Sequence, residues 1–563
     1  MSWFAGYFNP HKILDRKYKP EQEFDYKFCT DNIRIWSDKT NTNIKQSNKN
    51  LEILCGTILK KVEDKWEISD ETWLSEEERD NRNGHFICLR YKDEQLEFYN
   101  DHYGLRELYY YKDDDKTIYF STRVDILLRW KTNNQIDWKN FGSYWLIRDP
   151  LGNSYFIKGI KRLNQAGKLL ITKKAIKKTN VKWTAPEETN YNDNNIWEIE
   201  SILHSLIAAP QNSNRIAICA LSGGYDSRVI LALMLANNIK FEAVTWGKNI
   251  HPDMQIAVMI AKDTKIEHTK LTRDLLQSID NWQEFYNYCG RSQLVNAGTS
   301  IFELFHYREL NKEMVLIDGG AGELIRRSLN ANLEYRGKRA LYSGNLKKML
   351  SFMSANRADI FNEELLDQMK TGIELVAEQV YSEMPDIKKT GISNWLDIWN
   401  IRQRIGNISS RSQQILDDII TNFMPYMQRE ILDKSMKIPG KIRAKNHIHN
   451  VIISMNAPVL KNYPIVRNGL KMPFNTGRIS GKLRAILFRK WSYKTNTISC
   501  FLNQHSDRIR ELIEEAKKYH SFIYSKTKLE KLSEDYFTKG IRENEMVWWL
   551  TFEVFRRQFN IEN

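Results

Sequence analysis

The densest group of chemistry-bearing residues in the chain is Ser222-Gly223-Gly224-Tyr225-Asp226-Ser227. Two glycines permit close approach of backbone to a ligand. Ser222 and Ser227 add hydroxyl donors. Asp226 is unsuited to direct contact with phosphate, because like charges repel. Its hard oxygens suit Mg²⁺, which commonly bridges to phosphates. The six residues therefore predict a site for a phosphate-bearing anion. The spacing is not G-x-x-x-x-G-K-[ST], and the lysine of that loop is missing. The plain alternative is a tight strand-to-helix turn with Ser or Asp as caps.

The flanks place this corner. Residues 215–221 (RIAICAL) form a short apolar run suited to a buried parallel strand. Residues 229–235 (VILALML) continue with helical character. The corner thus lies at the carboxyl end of a strand, where open α/β sheets bind ligands. It also opens a helix, whose free N–H groups and dipole attract an anion. Farther along, FEAVTW (241–246), DMQIAVMIAK (253–262) and EMVLID (313–318) alternate strand and helix patterns. That alternation predicts a parallel sheet with helices on its faces. From about residue 341 the pattern is mostly helical.

The first 180 or so residues read differently. Residues 86–91, 95–100, 108–112, 117–122 and 167–174 are short, aromatic and β-branched segments between turn signals, and predict strands. Residues 184–195 (TAPEETNYNDNN) are polar, without apolar period, and read as a linker. The expected division is 1–183, a linker at 184–195, and 196–563. No internal repeat is visible.

At 563 residues two or more domains are expected. The six cysteines (Cys29, Cys55, Cys88, Cys219, Cys289, Cys500) are scattered, with neither a CxxC pair nor metal-ligand spacing. No apolar run is long enough to span a bilayer, and the N-terminal residues lack signal-peptide order. A cytoplasmic protein with reduced thiols is expected, with no membrane insertion. The net charge of +14 would suit a polyanion, but the 84 basic residues are spread along the chain. Zinc-finger, RRM and helix-turn-helix patterns are missing, so no nucleic-acid partner is expected.

The six-residue corner resembles the SGGxDS pyrophosphate loop of ATP pyrophosphatases, and its surroundings resemble the asparagine synthetase family. Asp253, Ala257, Ala261 and His268 hold the places of that family's residues after the loop, although alanines at i, i+4 also serve plain helix packing. Residues 313–324 (EMVLIDGGAGEL) resemble its SGxGADEL segment, 423–439 its R-x-PFLD…IP segment, and 467–474 (RNGLKMPF) its lysine loop. Residues 83–122, with DHYGLRELYY, resemble its glutaminase half. The resemblance spans nearly the whole chain. It implies an N-terminal αββα sandwich of Ntn type, then an α/β ATP-pyrophosphatase synthetase domain with a helical C-terminal part. It further implies ATP and Mg²⁺ as cofactors. Leu221, Ser222, Gly223, Gly224, Asp226, Ser227, Thr245 and Gly319 would bind nucleotide, with Asp226 and Glu323 on the metal. Lys471 would stabilise negative charge developing at phosphorus.

The chain also departs from that pattern. Ser2 stands where glutamine-dependent members expose a cysteine whose amine is the base. The NGEI-x-N stretch that holds glutamine is missing, and CGTILKK (55–61) lies near its place. A degenerate glutaminase half is expected. Gly322 occupies the place of the second metal-binding aspartate, and Gly319 that of the catalytic Glu or Tyr. Asp318 and Glu323 are the nearest replacements, though Glu323 could equally pair with Arg326 or Arg327. Arg228 replaces a serine and could clamp a phosphate or carboxylate, or lie on the helix surface.

The expected activity is ATP-dependent amide-bond formation through an acyl-adenylate, without glutamine hydrolysis. That pattern resembles β-lactam synthetase and the lasso-peptide cyclases. The substrate would be a small-molecule or peptide carboxylate, with a precursor peptide and its maturation protease as partners in the peptide case. Two other readings stay open. One is asparagine synthesis using Ser2 or free ammonia. The other is a non-catalytic scaffold that kept the fold.

Overall fold

The computed structural model describes every residue except 1, 15–17, 40, 76, 79–82, 279, 327–328, 445, 477, 489–492, 494 and 562–563. Among the described residues, the first part of the chain forms thirteen strands. They are β1 (Phe4–Phe8), β2 (Tyr26–Cys29), β3 (Ile33–Ser37), β4 (Thr42–Ser47), β5 (Asn50–Val62), β6 (Lys65–Ser69) and β7 (Asn83–Lys92). There follow β8 (Gln95–Asn100), β9 (Tyr109–Lys112), β10 (Ile118–Ser121), β11 (Lys161–Arg162), β12 (Gly167–Ile171) and β13 (Ile176–Asn180). They make two antiparallel sheets, ordered β11-β9-β10-β1-β3-β2 and β13-β12-β8-β7-β5-β4, with β6 also on β5.

Alternation sorts the side chains between layers. In β1, Phe4 and Phe8 join Ile53, Leu89, Phe98 and Leu169 of the other sheet in one core. Ala5 and Tyr7 point the other way, into a core shared with Val124, Leu127, Phe141, Phe552 and Phe555. Helices Val124–Trp130, Trp138–Trp145 and Glu543–Gln558 thus contribute to the cover on the first sheet. Among the described residues, the outer side of the second sheet carries a smaller group, Leu54, Ile58, Leu74, Phe86, Cys88 and Tyr99. Leu59 and Trp66, on β5 and β6, join a separate helix-bearing core, with the partly buried Ile68 packed against it. The first part is thus antiparallel and sheet-rich, within a mixed α/β chain.

Residues 181–192 have neither helix nor strand. This stretch is nevertheless tied down. Trp183 Nε1 donates to Asp433 Oδ1 at 2.8 Å, and the Thr189 amide donates to the Lys437 carbonyl at 2.9 Å.

Five strands then form a wholly parallel sheet: β14 (Ala217–Ala220), β15 (Phe241–Trp246), β16 (His268–Leu271), β17 (Val315–Ile317) and β18 (Thr421–Phe423). Their spatial order is β16-β15-β14-β17-β18. The chain therefore builds outward from β14 on one side, then returns to build outward on the other. The crevice at that reversal, above β14 and β17, is where such sheets bind ligands. Both faces are buried, as a parallel sheet requires. Ala217 and Cys219 pack with helices Asn194–Ile207, Tyr225–Ala236 and His447–Asn456, and Ile218 packs with Leu316, Leu416 and Ile420.

The rest of the described residues are mainly helical and include a hairpin, β19 (Ile465–Arg467) and β20 (Leu470–Met472). The helices Ile392–Trp399 and Ser410–Asp417 are joined by a π-helical stretch, Asn400–Ser409. Arg162 donates to the Asn407 side chain and the Gly406 carbonyl at 2.7 Å each, and Gln165 donates to the Arg402 carbonyl at 3.2 Å. These contacts satisfy polar groups along the irregular register and bind the two sheet systems together. No helix among the described residues is long and apolar enough to cross a membrane.

Candidate functional site

The loop after β14 is built as its residue types require. The Leu221 amide donates to the Val244 carbonyl at 2.9 Å, which prolongs the strand by one residue. The backbone then turns. The Ser222 amide donates to Ser227 Oγ at 3.1 Å, the two hydroxyl oxygens lie 3.0 Å apart, and the Gly224 amide donates to Ser222 Oγ at 3.2 Å. The Gly223 amide donates to Asp253 Oδ1 at 2.6 Å. Gly223 must be glycine, since a Cβ there would stand 2.8 Å from that oxygen and 3.1 Å from Val466 Cβ. The helix Tyr225–Ala236 begins immediately.

A second loop, after β17, lies against the first. The Asp318 amide donates to the Phe423 carbonyl at 2.9 Å, while its carboxylate accepts from the Gly320 amide at 2.9 Å and from Gln413 at 3.2 Å. Burial pushes the Asp318 carboxyl up. A Cβ on Gly319 would stand 3.1 Å from the Ser227 amide nitrogen, so the two loops touch. The structure thus brings Ser222, Gly223, Gly224, Asp226, Ser227 and Gly319 together.

Asp226 sits between the loops. Arg326 grips it bidentately, Nε to Oδ1 at 2.9 Å and Nη2 to Oδ2 at 2.8 Å. His449 Nε2 lies 2.9 Å from Oδ1. Burial alone would raise this carboxyl, but Arg326 and His449 outweigh it and hold the group below its ordinary range. Tyr426 stacks on His449 and donates to the Asp226 carbonyl at 2.9 Å. The arrangement does not fit a magnesium ion held by Asp226 and Glu323. Both oxygens of Asp226 already face nitrogen donors, and a fixed guanidinium would repel a dication. Glu323 is half-buried and instead strengthens the charge of Arg326. Among the described residues no three His, Cys, Asp or Glu groups converge as metal ligands.

Arg228 also departs from expectation. It is fully buried, and its guanidinium donates to the carbonyls of Tyr463 at 2.9 Å, Leu460 at 3.2 Å and Gly223 at 3.3 Å, and to that of Pro464. It secures the loop to the segment leading into the hairpin and does not reach toward the crevice as a phosphate or carboxylate clamp. Thr245 is likewise spent inside: Oγ1 donates to the Leu221 carbonyl at 2.7 Å and lies 3.0 Å from His268 Nε2. Leu221 is buried beside it, and Ala257 and Ala261 are buried on their helix.

Lys471 reaches the neighbourhood through the β19–β20 hairpin. It is exposed and stands opposite Val466 in the pairing. The Val466 amide donates to the Gly223 carbonyl at 2.9 Å, which docks the hairpin on the loop. On the adjoining edge of the sheet, beyond β15 and β16, lies a cavity of about 470 Å³ lined by Trp246, Lys248, His251, Arg273, His306 and Trp548 among others. His306 stacks on Trp246 at 5.9 Å and 15°. His251 joins this cavity to the loop, since its Nδ1 lies 3.3 Å from Asp253.

The N-terminal corner is occupied by its own backbone. Ser2 Oγ donates to the Asn41 carbonyl at 2.8 Å and accepts from the Gly56 amide at 3.2 Å. Beside it, burial pushes the Cys55 thiol up to about 12, which leaves it inert near neutral pH. The Asp101 carboxylate of DHYG accepts four backbone amides, from Phe86, Tyr103, Leu105 and Arg106.

Sequence reasoning missed His449 and the role of Asp253 as the acceptor for the Gly223 amide. It named Arg326 only as a partner for Glu323. The spacing of Gly322 and Arg326, one helical turn apart beyond a glycine-rich loop, was the available signal. Nothing near His449 announces it. No family model matches the chain, and no curated protein is significantly similar to it.

Proposed function

We propose that the chain is an ATP-dependent amide-bond-forming ligase. One observation carries this reading: an SGGYDS loop at the reversal point of a parallel sheet, packed against a second glycine loop. A substrate carboxylate oxygen attacks the α-phosphorus of ATP, the α–β phosphoanhydride bond breaks, and pyrophosphate leaves. An amine then attacks the acyl carbon of the adenylate and displaces AMP, losing a proton. The chain's part is to orient the phosphates on loop amides and to supply positive charge where negative charge develops. Lys471, on the hairpin docked against the loop, is suited to that second task. The cavity beyond β15 and β16 supports the reading as room for the remainder of a ligand on the same sheet edge.

The finer fold reading belongs to the same proposal. Two stacked antiparallel sheets support a glutaminase-like N-terminal part over 1–183, joined through 184–195 to a synthetase-like part over 196–563. The engagement of Ser2 Oγ with a carbonyl supports an amine source other than glutamine. The scaffold reading has one observation in its favour: Asp253 and Ser222 already satisfy the amides of Gly223 and Gly224.

The test is calorimetric titration with ATP, followed by pyrophosphate release across a panel of carboxylates and amines. Gly224→Val is the control, because φ at 224 is −86° and a Cβ there meets only Ser222 Oγ at 3.3 Å. Expected are ATP binding and pyrophosphate release by the natural chain, with both reduced at least tenfold in the variant. Failure of the natural chain to bind ATP overturns the ligase in favour of the scaffold.

A further inference from the structure

Resting on that nucleotide reading, we infer that Arg326 takes the place of a protein-bound divalent cation at Asp226. The loop then meets a polyphosphate with a guanidinium of the chain itself. Three observations converge on this. First, the Arg326–Asp226 pair is bidentate, with lengths of 2.8 and 2.9 Å, and its side chains are about one-fifth exposed, at the crevice rather than sealed beneath it. Such a fork consumes two of the five N–H groups of a guanidinium and leaves three for an anion.

Second, the room for another acidic ligand is gone. A Cβ on Gly322 would stand 2.9 Å from Asp226 Cβ and closer still to its carboxylate. An aspartate at 322 therefore cannot coexist with Asp226 in its present place. Glycine there is what lets Asp226 lie against the short helix Gly322–Ile325 and meet Arg326 at that helix's end. Third, His449 is fully buried, with Nε2 on the remaining side of the same carboxylate. It blocks an approach that a metal ion would need.

The consequence is electrostatic. A carboxylate beside a phosphate site is repulsive unless something positive covers it. Here the cover is covalently part of the chain and present before any ligand arrives. Arg326 is the anion-facing member of the pair, and Asp226 is a positioning residue that fixes the guanidinium's plane.

Two measurements test this on the full chain. Mn²⁺ is titrated into metal-stripped protein and followed by electron paramagnetic resonance, with natural Asp226 and with Asp226→Asn. The expected result is the same spectrum for both. A protein-bound Mn²⁺ signal that Asp226→Asn abolishes overturns the inference, whatever the nucleotide result. Separately, the non-cleavable analogue α,β-methylene ATP is titrated in excess EDTA. Expected is an affinity within threefold of that in Mg²⁺, a loss of at least tenfold in Arg326→Gln, and only partial recovery in Arg326→Lys, whose ammonium keeps the charge but not the two-point fork on Asp226. Binding that Arg326→Gln leaves unchanged, with the variant's melting curve still cooperative, also overturns it. Failure of the analogue to bind the natural chain in either medium counts against the ligase reading, and the Mn²⁺ comparison still decides the fate of Asp226.

Discussion

Two of the aspartate–arginine pairs that join distant parts of this chain shift their carboxyls in opposite senses. Asp417 and Arg106 lie at the junction of the two sheet systems, with side chains only 2–3% exposed. Arg106 Nη2 donates to Asp417 Oδ1 at 2.8 Å, and Asn422 donates to the same oxygen at 2.5 Å. Burial nevertheless dominates and pushes the Asp417 carboxyl up to about 6. Asp226 and Arg326 lie at the mouth of the crevice, where Arg326 and His449 together overcome the effect of burial and drive the carboxyl down. The same two side-chain types therefore make a rivet in one place and a poised anion site in the other. The difference is how far the hydrogen-bond and charge partners of each carboxylate offset the effect of burial.

The comparison is broken most forcefully at the sealed pair. Arg106→Met leaves Asp417 buried without its cation, and such a loss costs about 3–5 kcal/mol. Urea denaturation of the variant reads it directly. A loss under 1 kcal/mol would show that Asp417 is not buried as a charge in the folded chain.

A smaller effect sharpens the crevice side. Gly322→Ala forces a methyl group against Asp226, and overpacking of this kind costs about 1–3 kcal/mol. The crowding meets the carboxylate that Arg326 grips, so weakened binding of α,β-methylene ATP is expected to accompany it. Unchanged melting temperature and unchanged binding together would mean that Gly322 is a spacer with no part in the pair.

The most delicate test is the pH dependence, taken as the stability of the natural chain minus that of each Asn variant. Asp417 has a folded value above its unfolded one of about 3.8. The folded state then binds the proton more tightly, so this difference falls as pH rises from about 4 to about 6 and is level above. Asp226 has a folded value below about 3.8. Its contribution is complete above pH 5 and drains away as pH drops through 4. Parallel curves for Asp417→Asn and Asp226→Asn would erase the distinction between the two pairs.

Much of the architecture was legible in local pattern. β-Branched and aromatic alternation marked β7, β8, β9, β10 and β12, and short apolar runs marked β14, β15 and β17. These patterns encode the fold because each strand must bury one face or both, and its own residues say which. The glycine corner was legible for a similar reason, since only particular residues tolerate that backbone path. Arg228 was misread because a charged residue one turn into a helix looks solvent-facing or ligand-facing in sequence. Only the packing of the segment at 460–464 shows carbonyls waiting for it.

By itself, then, the sequence determined β7 to β10, β12, β14, β15 and β17, the helices that follow β14 and β15, and the loop after β14, because those depend on periodicity and backbone freedom within a few residues. The tertiary structure alone decided what surrounds Asp226. Arg326 lies a hundred residues away along the chain, and Asp253 thirty residues from the amide it caps. Such partners carry no local signature, because the energy of a charge pair depends on distance and burial in space, which exist only once the sheet and its helices have closed.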